Sequence, residues 1–194
     1  MLDIKIKQIM ELISPHRIFL FSENKNALRN FEKYEAHTIT IPEKYYSSWP
    51  NAFDNFLTHI DSPHVLICFA TTPFIGPDLI KDMADQYFRD PDKKGIITVE
   101  PIKSHLFDSD HRPINFGLGT SHIDSQNVKT FYVMLSGVSI IKKNLAQKIH
   151  YHVSTDSIFY PIPQAHVMDI NDREDWHFCQ KLLQISDYKK LLII

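Results

Sequence analysis

The sequence predicts a three-layer α/β fold built on a mostly parallel sheet. Short apolar, β-branched runs recur along the chain, at residues 17–21, 36–41, 65–70 and 96–99. Stretches with helical spacing of apolar residues separate them, and short polar loops follow each run. The runs Ile18-Phe19-Leu20-Phe21 and Val65-Leu66-Ile67-Cys68-Phe69 do not alternate with polar residues, as expected of strands covered on both faces.

Taken in order, Leu2, Ile4, Ile6, Ile9, Met10 and Ile13 fall mostly on one helical stripe. Ser14-Pro15 ends it, because the residue before proline avoids the α region. The strand at 17–21 stops at the polar Ser22-Glu23-Asn24, residues 26–34 form a short helix, and 36–41 a second strand. A loop from Pro42 leads to Trp49-Pro50, which opens a helix to Ile60 with proline in its first turn. The strand at 65–70 runs through Thr71-Thr72-Pro73-Phe74 into a helix begun by Gly76-Pro77-Asp78 and continued to Tyr87. Asp90-Pro91-Asp92-Lys93-Lys94-Gly95 is a turn before the strand at 96–99. Between 101 and 128 turn residues dominate and helical periodicity disappears, so this segment is expected to leave the sheet as a hairpin and loop. Strand-like runs resume at 130–135 and 138–141, with Ser136-Gly137 between them as a bulge or a close backbone approach. A helix follows, then a strand at 165–170. The acidic first turn Asp172-Arg173-Glu174-Asp175 opens the next helix, where it complements the dipole. The terminal Tyr188-Lys189-Lys190-Leu191-Leu192-Ile193-Ile194 either extends the last helix, packing Leu191 and Ile194 on the core, or adds 191–194 as a strand.

Composition bounds the function. The 194 residues suit one domain, and 43% hydrophobic with 23% charged residues describes an ordinary globular protein. A net charge of -2 gives no footprint for nucleic acid. The apolar runs fall short of a membrane span, and residues 1–10 contain no signal-peptide core, so a cytoplasmic protein is expected. Cys68 and Cys179 both sit in apolar patterns, as core thiols of a reducing compartment.

Chemistry-bearing residues are few. Asp169 and Asn171, spaced i, i+2 at a strand end, suit a hard cation such as Mg²⁺; Asp172 and Asp175 equally suit a helix cap. His150 and His152 would share a face of an extended segment, with no third ligand nearby. Asp108, Asp110 and His111 read as turn chemistry. No phosphate-binding glycine loop and no hydrolase or metalloprotease motif occurs.

At Cys68 to Ile75 and Val167 to Trp176, the chain resembles the acylneuraminate cytidylyltransferases (CMP-sialic acid synthetases), over roughly residues 2–185. Their strand running into Gln-Pro-Thr-Ser-Pro-Leu-Arg looks like Phe69-Ala70-Thr71-Thr72-Pro73-Phe74-Ile75. Their Arg-Gln-Asp-Leu-Pro resembles Ser125-Gln126-Asn127-Val128-Lys129, and Asn-Gly-Ala-Ile-Tyr resembles Ser136-Gly137-Val138-Ser139-Ile140. Their Asp-Ile-Asp is similar to Asp169-Ile170-Asn171. The resemblance implies a Rossmann-like fold of the nucleotide-sugar nucleotidyltransferase type and transfer of CMP from CTP to a 2-keto sugar acid. It further implies substrate contacts at Thr71, Thr72, Gln126, Ser136 and Gly137, and Mg²⁺ at Asp169 and Asn171. It also implies a two-fold homodimer built on 101–128, where Ile102, Leu106, Phe107, Ile114 and Phe116 are more than a lone hairpin buries.

The departures from that pattern are systematic. The family opens with a strand and a basic glycine-rich loop, whereas this sequence opens at the following helix. The absent strand would lie between those at 17–21 and 65–70. The family's Gln, Arg, Arg, Asn and second metal Asp are here Phe69, Ile75, Ser125, Ser136 and Asn171. The expectation is a fold kept without catalysis: a silent protein binding a sugar acid, a nucleotide or a partner. An active enzyme with a rearranged or partner-completed site is an alternative, as is an assembly subunit without a small-molecule site.

Overall fold

The computed structural model describes residues 1–45, 47–90 and 92–192. Its strands are β1 (Phe19–Ser22), β2 (His37–Thr40), β3 (His64–Cys68), β4 (Gly95–Ile102), β5 (Phe131–Lys142) and β6 (Ser157–Pro161). Its helices are α1 (Leu2–Met10), α2 (Lys25–Arg29), α3 (Trp49–Thr58), α4 (Pro77–Arg89), α5 (Lys143–Ile149), α6 (Arg173–Leu182) and α7 (Ser186–Leu192).

The strands form two sheets. β1 and β2 pair in parallel, and the second sheet has the order β3-β5-β4-β6. β5 runs antiparallel to β3 and β4, while β6 is parallel to β4, so three of these four strands point one way and β5 alone is reversed. Helices cover both faces. Ile6 and Ile9 of α1 and Ile80, Met83 and Tyr87 of α4 share a core with Ile18, Leu20, Ile96, Val138 and Ile140. On the opposite side, Phe53 and Leu57 of α3 and Ala146 of α5 pack on Val65 and Ile141. A third cluster seats Phe74, after β3, among Ile170, Cys179 and the half-buried Tyr188, Leu191 and Leu192.

Local chemistry explains most boundaries. Asn24 accepts from the Ala27 amide at 3.0 Å to start α2, and Pro77 stands in the first turn of α4. Asp172 accepts from the amides of Glu174 and Asp175 while the Asp175 carboxylate accepts from the Asp172 amide, a closed capping box. The helix expected at 26–34 ends early, at Arg29. A single 3-10 turn follows and closes on Glu35, which has a left-handed backbone (φ 59°).

Two expectations are corrected. Residues 165–170 are not a strand: Pro163 caps a short 3-10 turn at Gln164–His166, and the backbone then runs across the sheet, pairing at Ile170 with the Thr71 carbonyl at 2.9 Å. The sheet's edge is supplied instead by β6, whose last residue is proline, a position an edge strand tolerates. β5 is one strand of 12 residues rather than two. Its register with β4 shifts between Ile97↔Ser139 and Val99↔Met134, so Leu135 to Val138 oppose Thr98 alone. Of the two readings open for the last residues, the described ones take the helical reading: Leu191 and Leu192 lie in α7, with Leu191 half-buried against the Phe74 cluster, while Ile193 and Ile194 lie outside the described residues.

From 103 to 130 the chain leaves the sheet as a loop, closed by a bridge between Phe107 and Pro113. Asp108 accepts from the amides of Asp110 and Arg112, and His111 takes φ 61°, so this cluster is a turn. Among the described residues no helix is long and apolar enough to cross a membrane.

Candidate functional site

In α/β sheets ligands bind beyond the carboxyl ends of the parallel strands. Here that edge is formed by Phe69 to Ile75 after β3, by Ser136-Gly137 in the irregular part of β5, and by residues 162–171 laid across them. Three backbone bonds hold the pieces together. The Phe69 amide donates to the Gly137 carbonyl at 3.0 Å, Ile170 to Thr71 at 2.9 Å, and Ile162 to Val99 at 3.1 Å. His166 Nδ1 adds a bond to the Phe74 carbonyl at 2.5 Å.

Of the residues singled out in the sequence, Thr71, Thr72, Ser136, Gly137 and Asp169 gather at this edge. Thr72 is buried, and its hydroxyl donates to the Phe69 carbonyl at 3.1 Å, closing the turn after β3. Ser136 is exposed. Gly137 is buried where a Cβ would stand 2.6 Å from Ile75 Cδ1 and 2.7 Å from Thr98 Oγ1. The Thr98 hydroxyl accepts from the Val138 amide at 3.0 Å, filling the place of a ladder bond lost at the irregularity. Gln126 stays apart, exposed in a 3-10 turn of the 103–130 loop with no bond to this edge among the described residues.

Asp169 is half-buried, and its Oδ1 is a buried oxygen without a hydrogen-bond partner. The Asn171 side-chain amide lies 3.4 Å from the Asp169 carbonyl, and the Asn171 backbone amide donates to Asp175 at 2.8 Å. Asp172 and Asp175 are engaged in the capping box. The donor set is therefore one carboxylate and one neutral amide, and among the described residues no three His, Cys, Asp or Glu side chains converge on a metal position. Such a pair fits Mg²⁺ only as an ion carried on phosphate oxygens, which supply most of its ligands.

His150 and His152 do not share a site. His150 ends α5 in a left-handed conformation and pairs with Asp54 at 2.6 Å. His152 is buried, 2.9 Å from Ser139 Oγ, in a group of aromatic rings: Trp49, Phe53, Phe69 and Tyr151. Burial lowers its pKa to about 4, so it is neutral at pH 7. Phe69 lies 5.7 Å from the partly exposed Trp49, which leaves an aromatic face where the family pattern has a glutamine.

Sequence periodicity missed Lys5 and Gln8 of α1, both buried. Lys5 Nζ donates to the Ile75 carbonyl at 2.8 Å and pairs with no carboxylate among the described residues; burial lowers its pKa to about 8. Gln8 Nε2 donates to the Pro73 carbonyl at 3.0 Å, and its Oε1 is buried without a partner among the described residues. Two polar side chains within an apolar stripe were the signal. Burial raises the pKa of Cys68, near Lys5, to about 11, which keeps it a thiol and a poor nucleophile. Cys179 is also free.

No protein-family model matches the chain, and no curated protein matches it by sequence. Solved structures do. The 4-diphosphocytidyl-2C-methyl-D-erythritol synthase of Anaerococcus prevotii superposes with a TM-score of 0.67 at 16% identity, over 94% of this chain and 85% of that one. A CMP:2-keto-3-deoxy-manno-octonic acid synthetase complexed with CTP gives 0.66 at 7% identity, over 95% and 87%. The 2-C-methyl-D-erythritol 4-phosphate cytidylyltransferase of Thermus thermophilus gives 0.64 at 11%, over 95% and 89%. At these identities the likeness is one of architecture. The chain has the nucleotidyltransferase-type α/β fold of these cytidylyltransferases.

Proposed function

We propose that this protein is a catalytically silent relative of the sialic-acid-type cytidylyltransferases, retaining their fold to bind a nucleotide, a sugar acid or a partner protein. One observation carries the reading: the positions that the resemblance assigns to substrate contact offer no cation. They hold Phe69, Ile75, Ser125, Ser136 and Asn171. Lys5, which reaches the turn after β3, is buried and turned to the Ile75 carbonyl. Nucleotidyl transfer rests on positioning and on neutralising phosphate charge, and this edge is poorly equipped for the second. Thr72 is committed to its turn, while Trp49 and Phe69 offer a surface on which a flat ring can stack.

Thermal shift with CTP and Mg²⁺, other nucleotides and 2-keto sugar acids tests the reading, since a ligand that prefers the native state raises its apparent stability. The expected result is a shift with one of these ligands and no pyrophosphate release above background. Release that Asp169→Ala abolishes would overturn it. The unpartnered Asp169 Oδ1 favours a second reading, an enzyme completed by another chain, with Asp169 and Asn171 meeting Mg²⁺ on the nucleotide.

The 103–130 loop and the neighbouring ribbon support a homodimer. Phe107, Ile114, Leu118, Tyr132, Met134 and Phe159 are all about half exposed, apolar surface that a second copy would cover. A monomeric mass at micromolar concentration would refute this.

A further inference from the structure

The amino end of β3 lies at the opposite end of the sheet from the edge described above. There His64 of β3 stands across from Lys142, the last residue of β5. The neighbouring pairs carry the ladder bonds, with the Lys143 amide donating to the Pro63 carbonyl at 2.8 Å. His64 and Lys142 are therefore a non-hydrogen-bonded pair, the kind whose side chains stand closest on one face of a sheet. The end of α4 closes that face: the Tyr87 hydroxyl lies 3.0 Å from His64 Nδ1, and the Phe88 ring meets the imidazole edge-on at 5.2 Å. On the other side α5 begins with Lys143, whose Nζ is held by the Ile60 carbonyl.

A cleft wraps around this strand end. One lobe, of about 350 Å³, lies between Pro63 and the start of α5, walled by Lys142, Lys143 and Asn144. The other, of about 240 Å³, lies between the sheet and the end of α4, walled by Phe88, Asp90, Lys93 and Lys142. His64 and Lys142 line both lobes. Three ammonium groups thus face one carboxylate, in a chain whose net charge is -2. Lys142 and Lys143 are half-buried, so their charges are less screened than those of an open surface. Next along the chain from Lys93, Lys94 turns away and pairs with Asp156. Phe88, 61% exposed, gives the cleft an apolar wall.

We propose that this cleft binds a small molecule carrying a phosphate monoester next to an apolar body. Charge complementarity selects the anion, and clustered ammonium groups meet phosphate oxygens in charge-assisted hydrogen bonds. The lobes have the size of small-molecule sites, and a mixture of apolar wall and few polar groups is typical of such sites. Phe88 takes the apolar body, while Asn144 adds an amide donor at the rim. The site stands apart from Thr71, Ser136 and Gly137, so it does not depend on the nucleotide reading of that edge.

Residue-resolved NMR of the intact chain tests this, with phenyl phosphate as the probe at about pH 7.5, where a phosphate monoester is mostly dianionic. Saturable shifts are expected at His64, Phe88, Lys93, Lys142 and Asn144. Phenol, which keeps the ring and lacks the charge, should bind at least about 10-fold more weakly. Lys142→Gln and Lys93→Gln should each weaken phenyl phosphate by about 3-fold or more, and Asp90→Asn should tighten it by about 2-fold. Lys93 is exposed in a turn, so its variant reads binding without disturbing the fold. Shifts that fail to saturate overturn the proposal, as do shifts that phenol reproduces or that both lysine variants leave unchanged. Equal affinity for inorganic phosphate overturns it too, since Phe88 would then have no part. Shifts confined to Thr71, Ser136 and Gly137 would place the phosphate at the other edge, which refutes this site and leaves the nucleotide reading standing.

Discussion

Replacing Lys5 with methionine should leave the protein about as stable at pH 7, or more stable, and should remove a distinctive alkaline dependence. The reason is the cost of holding an ammonium group in the core with a single carbonyl partner. Its pKa falls from 10.5 to about 8 on burial. At about 1.4 kcal/mol per unit, the charged side chain then costs the native state roughly 3 kcal/mol at pH 7. Methionine relieves that cost but leaves the Ile75 carbonyl without its donor, a loss of roughly 1–3 kcal/mol, so the net change is small or favourable. The pH dependence is the sharper readout. Between the folded and unfolded pKa values the unfolded chain binds more protons, so wild-type stability rises with pH through this window. The rise should reach about 1 kcal/mol between pH 7 and pH 9. Cys68 acts in the opposite sense, because its pKa of about 11 in the folded state lies above the ordinary thiol value, and its contribution is lost above pH 9. Urea unfolding of wild type and Lys5→Met at pH 7, 8 and 9 cancels that term by subtraction. A variant destabilised by more than about 2 kcal/mol at pH 7, with the same pH slope as wild type, would refute the account of Lys5 as an unpaired buried cation.

Two further outcomes follow from the site. His152 has a folded pKa of about 4, below its ordinary 6.5, so stability is full at neutral pH and falls as pH drops through 6.5 toward 4, by roughly 2 kcal/mol at pH 4.5; His152→Gln should flatten that acid limb in urea titrations, and an unchanged limb would refute the assignment. Gly137→Ala should cost about 1–3 kcal/mol, because the new methyl meets Ile75 and the Thr98 hydroxyl at under 3 Å. The midpoint of urea unfolding measures it, and a neutral result would mean that this part of β5 shifts freely.

The strands at 17–21, 36–41, 65–70 and 96–99 were legible because their composition is local and unbroken, and the helix after Asp172 because its capping box is written in four consecutive residues. Residues 165–170 misled for the same reason. They have a strand's composition, but Pro163 starts a turn before them and Ile170 finds its partner at Thr71, far away in sequence. β6 went unseen because its apolar run is only Ile158-Phe159-Tyr160 before it ends in proline. At the candidate site, the grouping of Thr71, Thr72, Gly137 and Asp169 was anticipated by the resemblance alone, and no local signal placed Gln126 away from them.

What the sequence by itself determined was the alternation of buried strands and amphipathic helices, together with the turn chemistry between them. These depend on side-chain periodicity and caps acting within a few residues. Only the tertiary structure decided that Lys5 is buried against a carbonyl 70 residues away, that Thr98 repairs the break at Gly137, and that β1 and β3 each pair on one side only among the described residues. Each depends on which distant backbone groups come together and which are left without a partner, and hydrogen-bond satisfaction is a property of the packed whole.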